Sequence, residues 1–174
     1  MGVLAAAAAI ACAGCGGAHT PVTAASGRDA LSPSERVVYE FVARAMPRLE
    51  RANLRLTYAV RVYPSEAGVV RAQVRACAPT INAVDSLWHR LEPGHGKVAG
   101  LAGDFAAYEE SVVTVFDVLR RASDGRGGRG TIAPAHAAED KAAAAAARVA
   151  RDMARLAPLA ALPSPGASPS LTSD

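Results

Sequence analysis

The chain has 174 residues, a formal net charge of +3 at neutral pH and a hydrophobic content of 51%, but 41 of its residues are alanine and aromatics make up only 5%. The larger apolar side chains therefore suffice for one modest core in one domain. The composition excludes a wholly disordered chain and leans towards helix, because alanine is the best helix former. Seventeen of the 19 basic residues are arginine, yet no nucleic-acid-binding motif organises them, so no nucleic-acid partner is expected.

The first element is the uncharged apolar run MGVLAAAAAIA at residues 1–11. It is shorter than the roughly 20 residues a membrane-spanning helix needs and fits the apolar region of a secretory signal. The run ends in Cys12-Ala13-Gly14-Cys15-Gly16-Gly17. This segment resembles the lipobox of bacterial lipoproteins, a small or aliphatic triplet followed by an obligatory cysteine. Ala13 and Gly14 match the two positions before Cys15, while Cys12 stands where leucine is usual. Cys12 itself, preceded by Ala9-Ile10-Ala11, is the alternative lipidation site. The resemblance implies removal of residues 1–14 as a signal peptide, a thioether-linked diacylglyceryl group on Cys15 and acylation of its new amino group. It places the chain outside the cytoplasm, anchored to a membrane of the cell envelope through lipid. An ordinary cleaved signal and a secreted protein is the other reading. With Cys15 lipidated and Cys12 removed, Cys77 is the only remaining thiol, and a disulfide framework is excluded.

Residues 15–31 are rich in Gly, Ala, Ser and Thr without apolar periodicity, and read as a flexible tether. Ser32-Pro33-Ser34-Glu35 then carries the marks of a helix start: a capping serine, proline at the first helical position and glutamate three residues after the cap. Val38, Val42, Ala45, Leu49, Ala52, Leu56, Ala59 and Tyr63 follow at alternating spacings of 4 and 3, the seam of a helix that packs on other helices. Pro47 lies inside this phase and predicts a kink rather than an end. Tyr63-Pro64-Ser65-Glu66 is a turn, with Ser65 available to cap a second helix whose seam is Val70, Val74, Cys77, Ile81, Val84, Trp88 and Leu91. Pro79 either kinks that helix or divides it. After a break at residues 91–96, a third helix starts near Lys97, with Val98, Leu101, Phe105, Tyr108, Val112, Val115 and Leu119 as its seam. It ends in Arg120-Arg121, cations placed to suit its carboxyl end.

Residues 123–130 are a glycine-rich loop, and a fourth helix is expected over residues 134–162. Its seam of Ala142, Ala146, Val149, Met153, Leu156 and Ala160 is the thinnest of the four, and Pro158 predicts fraying near its end. Residues 163–174 read as a disordered Ser/Pro tail. The expected fold is all-α: an antiparallel up-down-up-down four-helix bundle over residues 32–162. Residues 36–75 hold eight arginines against three acids, whereas residues 98–119 hold four acids and no base. Helices one and two are therefore expected to pair electrostatically with helix three, or to offer a basic face to anionic headgroups.

Catalytic constellations are absent from the pattern, so no enzyme is expected. Cys77 has no histidine near it in sequence and reads as a small hydrophobe. His89, Glu92 and His95 crowd one break and are the only metal candidates, weak ones. Glu92 to His95 has the E-x-x-H spacing of di-iron bundles, but those sites need the pair twice and within helices. His136 and Glu139 have the reverse order. No cofactor is expected: there is no haem attachment motif, Met46 and Met153 lack a seam histidine, and residues 125–131 lack the lysine and preceding strand of a phosphate loop. The expected function is that of a non-enzymatic envelope binding or interaction module whose body takes a protein or envelope partner, with a small-ligand or metal-binding bundle as the alternative.

Overall fold

The computed structural model describes residues 30–91, 95–124 and 132–162. Among them are four long helices and no strand: α1 (Pro33–Val62), α2 (Ala67–Trp88), α3 (Ala99–Ser123) and α4 (Ala133–Ala161), with a short 3₁₀ turn at Gly96–Val98 leading into α3. None is long and apolar enough to cross a membrane. Cys12 and Cys15, residues 125–130 of the glycine-rich loop and the Ser/Pro tail anticipated from the sequence lie outside the described residues.

The α1 start is built as its sequence dictates. Ser32 Oγ accepts the Glu35 N–H at 3.3 Å, and Glu35 Oε2 accepts the Ser32 N–H at 2.8 Å. Two orphan donors of the first turn are thereby satisfied. The same carboxylate has a second role, because Glu35 Oε1 accepts the Lys97 N–H at 2.7 Å. Burial pushes the Glu35 carboxyl up, but the Ser32 and Lys97 backbone donors outweigh it, and the net shift is downward. Lys97 Nζ donates to the Ala30 carbonyl at 2.7 Å. Arg36 donates to the carbonyls of Ala160, at 2.6 Å, and Leu162. The start of α1, the entry to α3 and the end of α4 are thus tied at one place.

Every large seam residue within α1, α2 and α3 is buried, and in α4 Val149 and Leu156 are buried while Met153 is partly so. Leu49, Leu56, Val70, Ile81, Leu101, Phe105, Tyr108, Leu119 and Leu156 all belong to one apolar cluster. Trp88, Phe105 and the half-buried Phe41 join three helices. Trp88 and Phe105 meet edge to face at 4.8 Å between ring centres, and Phe41 stacks on Trp88 at 5.7 Å. Such contacts add about 0.5–1.5 kcal/mol per pair beyond the area they bury. Helices α1 and α3 each touch all the other long helices, with α2 and α4 on opposite sides of that pair.

Several expectations need correction. Ser65 does not cap α2: Glu66 holds the cap position without a side-chain bond, because the turn closes one residue later through Glu66 N–H to Val62 O at 3.1 Å. Of the two readings of Pro79, division of the helix is ruled out, since α2 is a single piece; α1 continues through Pro47 as its unbroken phase predicts, and α4 runs past Pro158 to Ala161. Each proline removes one donor, and the packed seams on both sides of it carry the helix through. The tether reading extends too far at its end. Ala30 and Leu31 are buried, and Leu31 N–H donates to Leu159 O at 3.3 Å, so the packed body begins before Ser32.

The fourth wall also differs from its expected weakness. Ala135, Ala138, Ala142 and Ala145 are buried, and α3 with α4 forms the most extensive helix pair. Separation between helices depends on the side chains at their contact, and alanine permits close approach. Among the described residues no acid of α3 forms an ion pair with an arginine of α1 or α2: Asp104 takes Arg148 of α4 at 2.6 Å, and Asp117 takes Arg120 of its own helix at 3.0 Å.

Candidate functional site

That mispairing leaves the arginines of α1 to be explained. Arg44, Arg48, Arg51 and Arg55 recur at spacings of 4, 3 and 4, just beside the seam formed by Ala45, Leu49, Ala52 and Leu56. They make one row on the flank of α1 that faces α2. Arg44 is paired, at 3.3 Å, with Glu40 of its own helix, both exposed. Arg48, Arg51 and Arg55 are exposed and have no carboxylate partner among the described residues.

The row forms one wall of a long open groove. The opposite wall is α2, whose Ala76, Pro79, Thr80 and Ala83 are small or apolar. The groove has two stretches of about 490 and 540 Å³, both bordered by Arg48 and Thr80, so they run into each other. Cys77 and Ala52 lie at the floor of the first, Ala45 and Val84 at that of the second. Leu54 borders the first stretch and Leu87 the second, and they are 70% and 50% exposed. A groove with one cationic wall, one apolar wall and exposed leucines at its border is suited to an amphiphile that carries negative charge.

The thiol at its floor is buried and held towards its protonated form. Cys77 Sγ donates to the Ala52 carbonyl at 3.6 Å, and burial pushes the thiol up despite nearby Arg55. A thiol held protonated is a poor nucleophile.

A second polar feature lies between α2 and α3. Glu109 is buried at 5% exposure, and its carboxyl faces that of Asp85, which can accept its proton in a hydrogen bond when Glu109 is neutral. Burial is the largest cause of a rise in its pKa to about 7, with the Asp85 charge next and His89 opposing. Glu109 Oε1 has no hydrogen-bond partner among the described residues. His89 Nδ1 lies 3.3 Å from Asp85 Oδ1 and 3.0 Å from the Asp85 carbonyl oxygen.

The metal candidates do not come together. His89 and His95 are both exposed, His89 is engaged with Asp85, and Glu92 lies outside the described residues. His136 pairs with Glu139 at 3.3 Å on α4. No group of three or more His, Cys, Asp or Glu is placed to hold a metal ion among the described residues. Reading seams alone passed over the arginine row, although its 4-3-4 spacing was legible one position beside them. Glu109 carries no comparable signal, because its burial comes from the approach of α2.

Comparison with known proteins adds no assignment: no protein-family model, no curated protein and no solved structure matches the chain.

Proposed function

We propose that the chain is an extracytoplasmic lipoprotein, anchored through Cys15, whose helical body is a binding module rather than an enzyme. The lipobox-like segment at residues 12–15 supports the address. The observation that carries the binding role is the groove between α1 and α2, with unpaired arginines along one wall and apolar side chains along the other. In this reading the four helices alternate in direction as an up-down-up-down bundle. The pairings Ala52 with Cys77 and Asp104 with Arg148, and of Arg36 with the end of α4, agree with that alternation. Residues 15–29 would then act as the spacer between the lipid and the body.

Radiolabelled palmitate incorporation tests the address. Label in the full-length chain that is lost in Cys15→Ala and kept in Cys12→Ala is the expected result. Label that survives Cys15→Ala and disappears in Cys12→Ala would move the anchor to Cys12, and no label in the unaltered chain would remove the lipoprotein reading altogether.

A further inference from the structure

We propose that the groove between α1 and α2 is the docking site of an acidic amphipathic helix from a partner protein. Carboxylates of that helix would meet the arginine row, and its apolar stripe would rest on the α2 wall. This rests on the reading of the body as a binding module.

Charge is the first argument. Arg44, Arg48, Arg51 and Arg55 form three successive like-charge neighbours at helical spacing, and each such pair weakens a helix. Of the four, only Arg44 has an ion-pair partner among the described residues. A carboxylate brought to Arg48, Arg51 or Arg55 gains a charge-assisted, fork-shaped hydrogen bond and relieves the repulsion.

Shape is the second. From Arg44 to Arg55 the row extends about 16 Å along α1 at the α-helical rise. A partner helix with acids at the same 4-3-4 spacing presents carboxylates at the same intervals. The opposite wall is built from Ala76, Thr80 and Ala83, small enough for a helix backbone to come close. Leu54 and Leu87 stand exposed at the border of the groove, where apolar side chains of such a helix would cover them. This is the helix-in-groove mode of recognition. A bilayer surface is flat and would touch the rim while leaving the floor of the groove open.

The test is fluorescence anisotropy on the full-length chain in a non-ionic detergent. The probe is a labelled synthetic helix of about 18 residues with a leucine stripe and glutamates at 4-3-4 spacing. A second peptide carries glutamine in place of every glutamate. Binding of the acidic peptide that weakens roughly tenfold or more with the glutamine peptide, and likewise in R48E/R51E, is the expected result. Raising salt from about 50 to about 500 mM should weaken it as well. Both arginines are exposed, so circular dichroism of the double variant should match the unaltered chain. If it does not, R51E alone and Leu87→Ser serve in its place, each lowering affinity.

Equal binding of the two peptides, or undiminished binding by folded R48E/R51E, overturns the proposal. So does arginine-dependent preference for phosphatidylglycerol over phosphatidylcholine vesicles without binding of the acidic peptide, which would assign the row to a lipid surface. Palmitate labelling fails or succeeds independently of these titrations, so loss of the anchor and loss of the docking site are distinguishable.

Discussion

Gly96 shows how much a single residue controls at the closed end of the molecule. Its φ is +71°, in the region that glycine alone enters freely, and a Cβ added there would stand 2.5 Å from Glu35 Oε1. That oxygen already accepts the Lys97 N–H. Gly96→Ala would combine backbone strain with displacement of a carboxylate that holds α1 and the α3 entry together. We expect a loss of about 1–3 kcal/mol, seen as a lower urea midpoint with an unchanged slope. A midpoint equal to that of the unaltered chain would show that the contact is dispensable. The sequence made half of this visible. Ser32 and Glu35 announce the capping box by their spacing, but Lys97 is 62 residues from Glu35, and no local pattern joins them.

At the scale of the element, regular periodicity was the most informative property of the chain. The alternating spacings identified the buried sides of α1, α2 and α3 because a helix repeats its face at those intervals. Boundaries and breaks were less legible. Pro79 reads locally as a kink or a division, yet Cys77, Ile81 and Val84 are buried on either side of it and hold α2 in one piece. Pro79 itself is exposed at the groove wall. Pro79→Ala restores a backbone donor within reach of the Arg75 carbonyl without changing the core. It should raise stability by about 1–3 kcal/mol, measured by urea unfolding, and leave the groove's charge untouched. A destabilised Pro79→Ala would mean that the bend imposed by proline is needed to fit α2 against α1. The thin seam of α4 misled for a related reason. Apolar bulk was weighed, whereas close backbone approach along Ala135, Ala138, Ala142 and Ala145 is what the α3 contact uses.

Over the whole molecule, one core links all four helices, so a local ionisation is felt in global stability. Two carboxyls act in opposite senses. Glu35 is held below its ordinary value, so its contribution is present above pH 4.5 and is lost as the pH falls. Glu109 is raised from 4.5 to about 7, chiefly by burial and then by Asp85. Between those values the folded chain keeps a proton that the unfolded chain has released. Stability therefore falls as the pH rises through this window and stops falling above about 7. Sequence could not foretell this, because Glu109 adjoins the seam residue Tyr108 and meets Asp85 only when α2 and α3 assemble. Urea unfolding at pH 5 and at pH 8 should show the unaltered chain less stable at pH 8 by about 1–3 kcal/mol. Glu109→Gln keeps the shape and cannot ionise, so it should shrink that difference to within about 1 kcal/mol. Asp85, His89 and Glu110 face the same carboxyl, which is why the variant is compared with the unaltered chain at each pH. A difference that persists undiminished in Glu109→Gln would place the titrating group elsewhere and leave Glu109 an ordinary charged residue of the α2–α3 contact.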